Sequence, residues 1–329
     1  MAEVDVIASS VMRRLEPFWP LIFASIYAYF LAFIMPLDVF KDREHYLDYA
    51  TEPGLSMLDY WLQGFLPVLF NEPLFLIVNY VPGLFLSGPA VLEALIFSFS
   101  FLGAYCVLSS NPRLLVWMVL ILLLPQVLKN YVMQLRQGYA LSLFLYGWFF
   151  CRGVNRWLVI AMAPFLHASF FIVLAFMVAY QSFTFLRIRY WLVPLLIGAI
   201  AASSTFLIIE VASLLGVRQG ERYANAVVHV SGKAFVFWFV VFCIFMAQSK
   251  SWVVRHGLEI SFVAMYLGLY FMSPLAGRVF ESVLPLVLIA GLSLQGRSFL
   301  IFASMFLIYF FGHYFLASRE VLFGVGVAL

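Results

Sequence analysis

An all-α polytopic membrane protein is the fold class this sequence predicts, and three observations carry it. Hydrophobic residues fill 65% of the 329 positions and charged residues only 11%, whereas a soluble domain holds about 45–50% and about 25%. Mean hydropathy is +1.02. The apolar residues gather into runs of bilayer-crossing length. A chain this poor in polar groups cannot cover its own surface with them, so its solvent is largely lipid. The 37 Phe, 17 Tyr and 8 Trp suit hydrocarbon and headgroup layers alike. At roughly 20 residues per crossing, about 9–11 transmembrane helices are expected, in a single integral membrane domain over residues 1–329.

The first run, Phe18 to Pro36, follows Arg13 and Arg14. It exceeds the apolar core of a signal peptide and reads as an uncleaved first span with its N-terminus inside. The stretch 37–63 is the most polar of the chain, with Asp38, Asp42, Glu44, Asp48, Glu52 and Asp59, and reads as an external loop. Apolar runs then follow at 88–109, 114–130, 138–151, 188–209, 234–249, 256–275, 279–296 and 298–316. Two segments are interrupted: 62–86 by Asn71-Glu72-Pro73 and Pro82, and 157–184 by Pro164. Proline removes a helix hydrogen bond and marks a break or kink. A second polar loop covers 210–233.

Arg152 with Arg156, Arg187 with Arg189, and Lys250 with Arg255 form short basic clusters of the kind that stay cytoplasmic. All fall inside only if 62–86 and 157–184 each enter and leave on one side, as re-entrant or interfacial helices. Asp42, Glu72, Lys129, Arg136, Arg218, Arg222 and Arg278 then collect on the outer face, with His167 at the outward tip of a hairpin. Ionisable groups are costly to bury near a membrane, so such a cluster is a functional-site candidate. Cys106, Cys151 and Cys243 lie apart in apolar runs and read as packing residues. The five histidines lack metal-ligand spacing, so neither metal nor cofactor is expected.

The most specific stretch is Leu135-Arg136-Gln137-Gly138-Tyr139-Ala140, followed by Cys151-Arg152 and Arg156 and then by Phe165-Leu166-His167-Ala168-Ser169. Upstream stand Asp42-Arg43-Glu44-His45-Tyr46-Leu47-Asp48-Tyr49 and Asn71-Glu72-Pro73; downstream stands Gly277-Arg278-Val279. In this order the motifs resemble the EpsG-like branch of the Wzy-type bacterial polysaccharide polymerases, from about residue 37 to residue 296. Segment 210–233 has no counterpart in that pattern. The resemblance implies a GT-C-like glycosyltransferase of the bacterial inner membrane. Such an enzyme joins oligosaccharide repeat units carried on polyprenyl diphosphate, in O-antigen or exopolysaccharide synthesis. Membrane lipids and a chain-length regulator are the partners it implies, with no nucleic acid.

Chemistry assigns the roles. A glycan leaving a lipid diphosphate puts negative charge on phosphate oxygens, which arginine forks match; Arg136 and Arg278 are the expected diphosphate clamp. The acceptor hydroxyl must lose a proton as it attacks, and His167 is the candidate base. A lone histidine in an apolar segment also suits a core residue donating to a backbone carbonyl. Glu72 is the alternative base, and Asp42 a third catalytic carboxylate that positions sugar hydroxyls or stabilises an oxocarbenium-like centre. Tyr46, Tyr49, Arg218, Arg222 and Tyr223 are expected along the glycan path. Two other classes compete. One is a secondary transporter or flippase of lipid-linked sugars, which the broken segments suit although no internal repeat is visible. The other is a membrane acyltransferase, for which only the histidine speaks.

Overall fold

In the computed structural model, residues 18–36, 40–51, 53–214 and 232–316 are described. Among them the chain is built of helices and connecting turns, with no sheet. In order these are α1 (Phe18–Tyr29, extended by a π-turn over Phe30–Ile34), α2 (Lys41–Thr51), α3 (Pro53–Gln63), α4 (Phe65–Phe70), α5 (Pro73–Gly83) and α6 (Gly88–Ser110). Next come α7 (Leu115–Leu123), α8 (Pro125–Val132), α9 (Leu135–Phe150), α10 (Gly153–Met162), α11 (Ser169–Phe185) and α12 (Leu192–Leu214). The last are α13 (Lys233–Met246), α14 (Lys250–Arg255), α15 (Gly257–Leu269), α16 (Ala276–Glu281), α17 (Leu284–Leu292) and α18 (Gly296–Leu316).

The helices follow the apolar runs, but breaks shorten most of them. Two described helices, in α6 and α18, are long and apolar enough to cross a membrane, and a third is counted if α7 and α8, bent by 64°, form one span. That is fewer than the nine to eleven expected from the runs. Proline and turn residues cut the runs: Pro125 ends the stretch begun by α7, Asn111-Pro112 closes α6, and Ser282-Val283 divides 279–296 into α16 and α17. By contrast, α6 runs unbroken over 23 residues, which makes roughly 35 Å of helix against a hydrocarbon core of about 30 Å.

Breaks stand at Asn71-Glu72-Pro73 and at Pro164, as proline predicted, whereas Pro82 lies inside α5. Residues 62–86 become the end of α3, then α4 and α5, with Gly64 at φ 117° and the Asn71-Glu72 turn between them. Residues 157–184 become α10, a tight 3-10 turn at Ala163–Phe165, and α11. The described part of the polar stretch 37–63 is helical, forming α2 and α3. Residues 41–51 contain no Gly or Pro, and Pro53 opens the next helix, where its missing N–H costs nothing.

Side-chain contacts sort the helix ends into two layers. At one end, Phe150 stacks on Tyr105 at 5.5 Å and Trp117 meets Phe299. Ser293 lies 3.1 Å from His256, and Lys250 sits over Tyr190. The basic clusters at 152–156, 187–189 and 250–255 belong to this end. The other end joins α5, α8, α9, α11 and α16 through polar side chains. Helix α9 packs closely because Gly138 has no side chain: a Cβ there would collide with the Asn130 carbonyl oxygen of α8.

Candidate active site

Three breaks in the helices meet at one point. Glu72 precedes α5, Arg136 stands in the first turn of α9, and His167 precedes α11. All three are buried, at 4%, 7% and 6% exposure, in a chain that is 65% hydrophobic. Arg136 donates from Nη1 to Glu72 Oε2. His167 Nδ1 lies 2.8 Å from Glu72 Oε1, which also accepts the Ala168 backbone N–H at 3.3 Å. One carboxylate thus serves two side chains, one from each oxygen.

The backbone at Glu72 shows what this arrangement costs. Its φ of 64° and ψ of 51° are left-handed, a conformation that disfavours a residue with a Cβ by about 1–2 kcal/mol. Such strain persists where the surrounding contacts over-determine it. Here Pro73 fixes the start of α5 while Arg136, His167 and Ala168 hold the carboxylate.

Electrostatics set the protonation states. Burial opposes ionisation of Glu72, but the charge of Arg136 and the hydrogen bond from His167 outweigh it and hold the carboxyl well below its usual range. An ionised carboxylate only accepts, so His167 Nδ1 carries the hydrogen. Burial, aided by the charges of Arg278 and Arg136 and opposed by Glu72, lowers the imidazole below its ordinary value. The neutral ring therefore has its lone pair on Nε2. That atom is buried and has no hydrogen-bond partner among the described residues.

Aromatic faces complete the setting of Arg136. Its guanidinium carbon lies 4.4 Å from the Tyr49 ring, 4.5 Å from Phe75 and 5.8 Å from Tyr46. Cations are attracted to ring faces at this range. Tyr46 and Tyr49 also pack edge-on against Phe75. They frame the arginine.

The next layer is only partly legible in the sequence. Gln137 donates from Nε2 to the Arg278 carbonyl at 2.9 Å and to Ser282 Oγ at 3.0 Å. Ser282 Oγ lies 3.1 Å from Ser169 Oγ, so α9, α11 and α16 are tied beside the site. Gln137 and Ser169 stand in the motifs, but nothing in one dimension links them to Ser282. Sequence reasoning also misses Arg43 as a site residue. It is buried and donates from Nε to the Val132 carbonyl at 2.9 Å and from Nη1 to that of Pro36 at 3.2 Å. These bonds anchor α2, the helix that presents Tyr46 and Tyr49. Its partners are backbone carbonyls, which leave no sequence signal.

Arg278 lies in α16, half-buried and close enough for its charge to act on His167. Asp42 lies in the first turn of α2, and its side chain falls outside the described residues. Arg218, Arg222 and Tyr223 also lie outside them. At the same end Lys129 pairs with Glu281 at 2.6 Å. Among the described residues no group of three or more His, Cys, Asp or Glu side chains could hold a metal. Comparison with family models, curated proteins and solved structures finds no match to this chain.

Proposed function

We propose that this protein is a polysaccharide polymerase of the bacterial inner membrane, a glycosyltransferase that joins polyprenyl-diphosphate-linked repeat units on the periplasmic side. The observation that carries the reading is the contact of His167 Nδ1 with Glu72 Oε1, with Nε2 buried and without a hydrogen-bond partner among the described residues; with Nδ1–H donated to the carboxylate, Nε2 holds a free lone pair. A carboxylate that orients an imidazole in this way makes it a general base. In this reading Nε2 takes the proton of an acceptor-sugar hydroxyl. The oxygen attacks the anomeric carbon of the donor, and the bond from that carbon to the diphosphate oxygen breaks. The electron pair leaves with the diphosphate, whose charge Arg136 and Arg278 meet; no metal is invoked. Donors positioned for developing charge supply the largest catalytic contribution in most enzymes. Glu72 becomes the positioning carboxylate rather than the base, because an acid held ionised by Arg136 is too weak a base to compete.

Three further points support the membrane setting. The spans α6 and α18 are apolar, the basic clusters lie at the bundle end opposite the site, and buried ionisable groups in such a chain face a polar path. The nearest rival is a secondary transporter or flippase of lipid-linked sugars, favoured by the placement of Glu72 and His167 at helix breaks. Purified protein in liposomes, supplied with lipid-diphosphate repeat units, separates the two. Polymerisation yields a ladder of lengthened glycans; transport moves the units across the bilayer with no change in length, and that result would reject the enzyme.

A further inference from the structure

The divided carboxylate of Glu72 ties the two halves of the site together. Oε1 holds His167 and the Ala168 N–H, while Oε2 is matched by Arg136. Arg136 and His167 thus compete for one negative charge. The rings of Tyr49, Phe75 and Tyr46 attract the guanidinium whichever anion it faces, so Arg136 can change anions without leaving its pocket. The Ala168 N–H and His167 keep Oε1 in place when Oε2 is released.

We infer that Arg136 is a donor-operated gate on the base: a diphosphate that draws Arg136 off Glu72 leaves the carboxylate to His167 alone, and only then does the pair take up the acceptor proton. The inference rests on reading the site as a diphosphate clamp. Before the donor binds, Arg136 neutralises Glu72, and Arg278 and Arg136 together disfavour an imidazolium. Once the diphosphate is seated, its own charge neutralises both arginines. Glu72, stripped of its counter-charge, then stabilises a proton on Nε2 of His167 through the Nδ1–H bond. The balance is closed. The acceptor O–H proton goes to the Glu72–His167 pair, the new C–O bond forms as the C–O bond to phosphate breaks, and the pair's proton leaves with or after the diphosphate.

The groups facing His167 are Glu72, Arg136 from α9 and Arg278 from α16, with Tyr46 and Tyr49 of α2 behind Arg136. The test tracks the midpoint of His167 protonation by nitrogen NMR on the full chain in lipid nanodiscs, with inorganic pyrophosphate as the probe. The midpoint should rise by about 1–3 pH units on adding pyrophosphate, the range for altering a charge at this distance. Arg136→Met should raise it without pyrophosphate and abolish the response. Glu72→Gln, which keeps the side-chain shape, should lower it and also abolish the response. An unchanged midpoint in both variants would overturn the coupling. Pyrophosphate that binds by phosphorus NMR yet leaves the wild-type midpoint unmoved would overturn the gate. Failure of pyrophosphate to bind would overturn the diphosphate as trigger. Failure to form a glycan ladder while the midpoint responds would reject the polymerase and leave the gate intact, so the two failures are distinguishable.

Discussion

Replacing Glu72 by Gln removes one charge and almost no volume, so its consequences can be worked out from the hydrogen bonds of the site. The carboxylate accepts from Arg136, His167 and the Ala168 N–H at once. An amide has one acceptor oxygen and one donor nitrogen, so it cannot serve all three. Turning its oxygen to Arg136 preserves the bond to a charged donor, worth about 1.5–3 kcal/mol, over a neutral one worth about 0.5–1.5 kcal/mol. The NH2 group then faces His167, whose Nδ1 must accept, and the ring proton moves to Nε2. An imidazole in that tautomer cannot take a proton at Nε2. Turnover should fall about 10⁴-fold, the size of a wrong-tautomer loss. Stability should fall by about 3 kcal/mol, the low end for breaking a buried pair, because the amide still meets the arginine. Acid sensitivity should change as well. Glu72 is held below its usual range in the fold, so its stabilisation is complete above the ordinary carboxylate pKa of about 4.3 and is lost as pH falls below it. His167, also lowered, adds a loss in the same direction as the unfolded chain gains a proton below about pH 6.5. The variant should retain only the histidine part. Glycan-ladder rates, nitrogen NMR of His167 and thermal unfolding between pH 7 and pH 4 measure these effects. A near-normal rate with the hydrogen still on Nδ1 would refute the reasoning.

The same geometry sets the remaining outcomes. Arg136→Ala and Arg278→Ala should each abolish chain lengthening, and Arg136→Ala should also lower the unfolding temperature because it leaves Glu72 buried without its cation. Arg136→Lys should stay poor in the ladder assay, since a point charge cannot replace a fork. His167→Gln should lose about 10²–10⁴-fold in turnover while still binding lipid-linked donor in a pull-down; an undiminished rate would make His167 structural. External thiol labelling should modify Asp48→Cys, exposed at the site end, and spare Asn155→Cys, exposed at the opposite end; equal labelling would refute the orientation. Gly138→Ala should cost about 1–3 kcal/mol by thermal unfolding, because its Cβ would run into the Asn130 carbonyl oxygen.

The apolar composition by itself determined that this chain is helical and suited to lipid, since backbone groups out of water must be satisfied within helices. Pro73 and Pro164 marked two of the helix breaks, because proline acts on the local backbone and needs no distant partner. Three candidate site residues, Glu72, Arg136 and His167, were also visible, because an ionisable group among apolar neighbours stands out in one dimension. What each does was decided by tertiary contact. Only the fold brings Glu72 against Arg136, 64 positions away, and divides its two oxygens between Arg136 and His167. That the rings of Tyr46 and Tyr49 frame the arginine is visible only in the fold. Arg43 and Ser282 gave no signal, since a bond to a backbone carbonyl or a second hydroxyl is within reach of any sequence. Pairing, tautomer and framing depend on which segments share a layer. That choice is made by packing over the whole bundle, where Gly138 admits α8 and the two hairpin breaks fall at the same depth.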